Sequence, residues 1–289
     1  MLTPTTHLPL SALTMQKSRR LTKMAAAVFL SVAALGSLGT AQAVPLPVAV
    51  ALELSLVIDV SGSISSSEYT LQKNGYRDAF DSSTVRSNIL SFLPSGGIAV
   101  NVIQFSDNAQ QSIGWTQLNS TASIDAFVSQ LGSMSRLFND NTDVEDGMKV
   151  SLASFLSNNF EGTRKVMDVS GDGEQNSDPA CAVSAPNYNQ ACAAVQAQRD
   201  AAVSAGVVVN GLAIEGDLGA NGITNWYNAN VRTPTGSVYT ATSFDTFGSA
   251  VRDKIGREIT GGTVPEPATL ALLGIGLAGI GASRRRRVA

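Results

Sequence analysis

The chain has one histidine and two cysteines in 289 residues, with 6% aromatic and 15% charged residues. Each scarcity excludes something. The histidine is His7, close to the N-terminus. With no other, Ser-His-Asp and Cys-His machinery has no general base, and catalytic zinc lacks its usual ligand. Cys181 and Cys192 have ten residues between them, so there is no C-x-x-C pair for thiol redox chemistry. An aspartyl-phosphate phosphatase needs a second acid two residues after its nucleophile, and Ser61 stands in that place after Asp59. Carboxylate-only hydrolysis remains open as an enzymatic route. No internal repeat or linker divides the chain.

The two ends read as signals rather than as folded structure. Lys17, Arg19, Arg20 and Lys23 precede an apolar stretch at residues 25–38, and Ala41-Gln42-Ala43 follows. This is the pattern of a secretory signal over residues 1–43, with Val44 as the first mature residue. The stretch is short for a span, and an N-terminal anchor is the alternative. Met15 is a second possible start. At the other end, Val264-Pro265-Glu266-Pro267 leads into 15 apolar residues (268–282) and then Arg284 to Arg287. Physically this is a short stop-transfer segment with its arginines on the cytoplasmic side. The tail resembles the PEP-CTERM sorting signal of Gram-negative bacteria. The resemblance implies transient membrane association, removal of the tail by an exosortase, and delivery to the envelope, cell surface or extracellular matrix. A permanent single-span anchor is the alternative.

Between the signals lies a domain at residues 44–263 with 12 Lys and Arg against 22 Asp and Glu, a net charge of about −10. That balance argues against nucleic acid and anionic surfaces, which need basic patches. His7 falls in the part expected to be removed. In an exported protein, two cysteines in a Pro- and Asn-containing loop suit a Cys181–Cys192 disulfide, with two unpaired buried thiols as the alternative.

Apolar strand-like runs occur at residues 52–58, 98–105, 165–169, 207–214 and 237–240, and residues 110–116 suit an antiparallel edge strand. Helical spacing separates them: Tyr69, Tyr76 and Phe80; Ile124, Phe127, Val128 and Leu131; Val144, Met148, Leu152 and Phe155; Phe244, Phe247, Val251 and Ile255. Ser65-x-x-Glu68 and Thr142-x-x-Glu145 read as capping boxes. The alternation predicts an α/β fold, a three-layer, doubly wound, mainly parallel sheet with helices on both faces.

The most informative stretch is Leu54 to Ser63, an apolar strand ending on Asp59, with Ser61 and Ser63 at alternate positions. In an open α/β sheet such strand ends form the site. Three oxygens from one loop suit a hard divalent cation, whereas simple helix capping is the bland reading. Thr142 opens a later helix, and Asp172 follows the apolar strand that ends near Val169. The combination resembles the von Willebrand factor type A (vWA) domain over roughly residues 52–259. Its metal-ion-dependent adhesion site uses a D-x-S-x-S loop, a distant Thr and a distant Asp in a D-G turn. The resemblance implies Asp59, Ser61, Ser63, Thr142 and Asp172 as ligands of Mg²⁺ (or Mn²⁺ or Ca²⁺). Asn141 and Asn176 are further candidates, and Asp140, Asp143, Glu174 and Asp178 crowd the same rim.

The expected function is an exported, non-enzymatic module that binds a protein or an acidic polysaccharide through the metal. A matrix component with a merely stabilising metal, and a secreted hydrolase, are the alternatives. Intact-mass analysis of exported protein should find a start at Val44 and an end near Val264. Arg284–Arg287 in extracellular material would rule out the sorting-signal reading.

Overall fold

The computed structural model describes residues 46–181, 190–216 and 221–261, so the expected N-terminal signal and sorting tail lie outside the described residues. In chain order the elements are β1 (Val48–Asp59), α1 (Ser66–Asp81), α2 (Ser83–Ser91), β2 (Ile98–Phe105), β3 (Ala109–Leu118), α3 (Thr121–Ser133) and α4 (Val144–Ser157). They continue with β4 (Phe160–Gly171), α5 (Ala193–Ser204), β5 (Val207–Ile214), α6 (Gly222–Asn230), β6 (Val238–Ala241) and α7 (Phe244–Thr260).

The strands form one sheet in the order β3-β2-β1-β4-β5-β6. Only β3 runs antiparallel, as the edge strand expected at residues 110–116. The pleat of β1 divides its side chains between two cores. Leu52, Leu54, Leu56 and Ile58 face α1, α2, α3 and α7, where Tyr76, Phe80, Phe127 and Phe247 pack. Val57 faces α4, α5 and α6, with Met148, Phe155, Trp226 and Tyr227. Gly75 allows α1 and α7 to approach closely, since a Cβ there would lie 2.7 Å from the Phe247 ring.

Two features depart from the sequence reading. β1 and β4 are longer than residues 52–58 and 165–169, because their pairing begins at Val48 and Phe160. Glu53, inside the expected strand, is buried, and its carboxylate accepts the Gly162 N–H (2.7 Å) and an Asn158 Nδ2–H (2.7 Å). α5 and α6 were not anticipated: α5 buries only Val195 and Ala202, and α6 has 9 residues. Such short or alanine-rich segments carry little periodicity.

Cys181 and Cys192 are bonded, with Cα atoms 4.6 Å apart, and both are buried. The bridge joins the segment after β4 to the start of α5. Replacing both by alanine should cost about 2–3 kcal/mol in urea unfolding, the chain-entropy value for a loop of this length. An unchanged midpoint would show that the bridge does not constrain the unfolded chain.

Candidate metal centre

In a parallel sheet neighbouring strands end at the same edge. Ile58 of β1 lies beside Ser170 of β4, so Asp59 and Asp172 emerge together. Asp59 is wholly buried. Its Oδ1 accepts the Ser61 N–H at 2.8 Å, while Oδ2 is buried with no hydrogen-bond partner. Ser61 and Ser63 Oγ lie 3.2 Å apart. The Ser63 hydroxyl donates to Asp172 Oδ1 at 2.8 Å, and Thr142 Oγ1 donates to Ser61 Oγ at 3.0 Å. All five residues implied by the resemblance therefore meet in one oxygen cluster, from three loops remote in sequence.

The loops are held by groups the sequence reading missed. Arg136 is turned inward onto the first loop. Its Nε donates to the carbonyls of Val60 (3.1 Å) and Phe138 (2.9 Å), and its Nη2 to Val60 (2.8 Å) and Ser61 (2.6 Å). Gly62 N–H donates to the Asp140 carbonyl at 2.7 Å, tying the first loop to the second. Ser106, after β2, donates its hydroxyl to the Asn141 carbonyl and accepts the Asp140 N–H, each at 2.8 Å. These contacts are main-chain and non-local, so no residue pattern announces them.

Several candidates turn out to hold the backbone. Asn176 Oδ1 accepts the Thr142 N–H (2.8 Å), and Asn141 contributes a carbonyl to Ser106. The Thr142-x-x-Glu145 capping box does not form. Asp143 is the N-cap of α4, its carboxylate accepting the Asp146 N–H at 3.1 Å, and the Glu145 N–H goes to Gln175 Oε1. One residue before the cap, the Thr142 hydroxyl is free to face Ser61. Asp178 accepts the Ala180 N–H beside the disulfide.

Gly171 and Tyr227 form the floor. A Cβ at 171 would lie 2.7 Å from Asp59 Oδ2 and 2.6 Å from the Tyr227 hydroxyl, so only glycine fits between the two. Burial, followed by the Asp172 charge, pushes the Asp59 carboxyl up to about 8. Asp172 is also raised, first by its own burial, with Glu68 and Glu174 adding to it. Among the described residues no group of three or more His, Cys, Asp and Glu is arranged to hold a metal. The hydroxyl-containing set is the one that fits: two carboxylates, one with an unanswered buried oxygen, and three hydroxyls.

Residues 49–263 match the profile of a family described as "Protein of unknown function (DUF1194)". The chain belongs to that family. Residues 263–287 match the PEP-CTERM protein-sorting motif, which marks the chain for export. No curated relative matches this chain. Proximal thread matrix protein 1 (PTMP1) from the mussel byssus is 18% identical, with TM-score 0.51, over 74% of this chain and 48% of its own. A further PTMP1 structure, described with a zinc-occupied MIDAS motif, gives 18% and 0.50 over 74% and 47%. The pilus adhesin SpaC from Lactobacillus rhamnosus GG is 14% identical, with TM-score 0.52, over 75% of this chain and 30% of its own. This chain thus spans about half of PTMP1 and less of SpaC. The fold is of the vWA type.

The raised Asp59 carboxyl sets a pH dependence. The folded chain binds this proton more tightly than the unfolded one, so the stability it confers is full below about pH 4 and is lost as pH rises through 8. In EDTA, thermal melts of the parent should fall across pH 5–8, and Asp59→Asn should flatten that fall. Parallel curves for the two proteins would show that Asp59 is not the source.

Proposed function

We propose that the processed protein, residues 44–264, is an exported binding module. It engages an anionic group of its partner through a divalent cation held by Asp59, Ser61, Ser63, Thr142 and Asp172. The observation that carries this reading is the buried, unpartnered Asp59 Oδ2 within a cluster of four other oxygen-bearing side chains. A buried carboxylate oxygen with nothing to accept is costly unless a cation answers it. An all-oxygen set with two carboxylates suits Mg²⁺, with Mn²⁺ or Ca²⁺ as substitutes. Such a cation, when bound, supplies residual positive charge at an open coordination position.

The chain's own residues prepare that position. Asp59, Ser61 and Thr142 are buried, whereas Ser63 is exposed and Asp172 is half-buried, so the cluster is open on one side. A carboxylate from a protein or an acidic polysaccharide can approach there. The zinc-occupied MIDAS of PTMP1, the byssal thread origin of that protein and the adhesin role of SpaC support this reading. No catalytic residue is assigned. The sorting motif supports processing by an exosortase and residence at the envelope, cell surface or matrix.

Calorimetry should detect one Mg²⁺ site in the parent and none in Asp59→Ala. Ser63→Ala leaves the net charge unchanged and removes one exposed ligand. It should fold normally and lose about tenfold or more in Mg²⁺-dependent retention on the secreted matrix. Retention that persists in EDTA, at a temperature where the domain is folded, would reject a metal contact and leave a structural ion.

A further inference from the structure

Seven large apolar side chains are exposed among the described residues, and only Leu71 and Leu137 lie away from the edge where the parallel strands begin. Leu46 and Val48 stand at the start of β1, and Leu93 lies in the connection from α2 to β2. Leu156 is in the last turn of α4, before β4, and Val203 in the last turn of α5, before β5. The central loops adjoin: the Val48 N–H donates to the Asn159 carbonyl at 2.8 Å, and the Ala51 N–H to the Gly97 carbonyl at 2.9 Å. A lone exposed leucine means little, but apolar residues gathered on one side of a domain mark a contact surface. Charge follows the same division. Near this edge Asp81 and Asp125 pair with Arg86 (2.7 and 2.6 Å), Glu161 with Lys165 (3.4 Å) and Asp200 with Arg199 (2.9 Å). Arg252 and Asp253 are adjacent and offset one another. Arg257, in the last turn of α7, and Arg232, after α6, form no ion pair among the described residues, so the edge keeps a positive surplus. Asp140, Asp143, Asp172, Glu174 and Glu215 lie at the opposite edge.

We propose that this edge is a membrane-facing surface: while the sorting tail is attached and seated in a bilayer, the domain lies with the starts of β1, β2 and β4 on its anionic phospholipid headgroups. The proposal is independent of the metal reading and rests on the tail entering a membrane. Six residues (262–267) separate Gly261 from the apolar stretch at 268–282, and fully extended they reach about 20 Å. So short a tether holds the edge at high effective concentration against the lipid, where a weak surface preference is enough to orient the domain. The exposed leucines and valines enter the boundary between headgroups and acyl chains. Arg232 and Arg257 meet the phosphates, each worth about fivefold in occupancy near an anionic surface. The acidic edge is repelled by the same surface and points outward. A second copy of the chain fits less well, because it would set the surplus cations against their own duplicates, whereas phospholipid supplies the missing negative charge.

The test uses the tail-bearing chain, residues 44–289, in vesicles of phosphatidylethanolamine and phosphatidylglycerol. Leu156 and Thr242 are both exposed, one at each edge, so either can be replaced without disturbing the core. Leu156→Trp should add emission that is shifted to the blue and quenched by acyl-brominated lipid, above the baseline that Trp115 and Trp226 give in the parent. Thr242→Trp should add emission that the brominated lipid leaves unquenched. In the Leu156→Trp background, Arg232→Gln together with Arg257→Gln should reduce the quenching severalfold, and so should replacing phosphatidylglycerol by phosphatidylcholine. Equal quenching of Leu156→Trp and Thr242→Trp, or of neither in a chain that floats with the vesicles, overturns the proposal. A chain that does not float with them overturns it together with the reading of the tail as a membrane segment. Blue-shifted Leu156→Trp emission without lipid, accompanied by a doubled mass in light scattering, overturns it in favour of a contact between two copies.

Discussion

Strand β1 is buried along almost its whole length, so every polar group it carries must be answered inside the protein. It carries three. Glu53 is answered by the Gly162 N–H, Asn158 and Lys165. Ser55 accepts the Ser151 hydroxyl of α4 at 2.8 Å. Asp59, the last, receives only the Ser61 N–H on one oxygen, and its other oxygen faces the gap beside Gly171 and Tyr227. The first two bind β1 to β4 and α4. The third keeps one oxygen unpartnered, beside the likewise unpartnered Tyr227 hydroxyl, and it lies at the strand's C-terminal end, where the surrounding loops converge.

Strand β4 carries a second buried charge problem, solved differently. Lys254 of α7 pairs with Asp168 of β4 and with Glu258 one helical turn on, and all three are nearly or wholly inaccessible. Asn210 of β5 donates to Glu258 at 2.8 Å. Burial and the nearby Asp168 push Glu258 up to about 7, while Lys254 is held above its usual range by the two acids despite its own burial. A buried cluster of this kind adds little net stability over well-packed apolar residues, but losing one member strands the others. The cluster ties α7 to β4 through Asp168 and to β5 through Asn210. Two residues beyond Asp168, Ser170 accepts the Tyr76 hydroxyl of α1, and Gly171 follows. The strand that pairs with α7 therefore also supplies Gly171 to the floor of the candidate site.

The α/β alternation, the antiparallel edge and the converging D-x-S-x-S, Thr and D-G elements were legible in the sequence because apolar periodicity and residue type carry them. Ser65 and Glu68 also formed the box their spacing announced. What was illegible is tertiary. Thr142 and Glu145 have the same spacing, yet Asp143 took the cap, because Gln175 claimed the Glu145 N–H and Asn176 claimed that of Thr142. Two positions with equivalent local signals were separated by contacts from a loop some thirty residues away. Arg136, Gly171 and Tyr227 had no local signal, since their roles depend on which loops end up adjacent.

The sheet direction also divides the domain into two edges with different duties. The candidate site lies at the C-terminal edge of the parallel strands. β1 begins at the opposite edge, where Val48 pairs with Phe160, and there α7 ends, with Arg164 of β4 capping the carbonyls of Glu258 and Ile259. Gly261 follows in left-handed conformation against the Arg164 guanidinium. The chain thus leaves α7 toward its sorting motif from the edge farthest along the strands from Asp59. In a parallel sheet this separation costs nothing extra, because the last helix must run back against the strands to cover them.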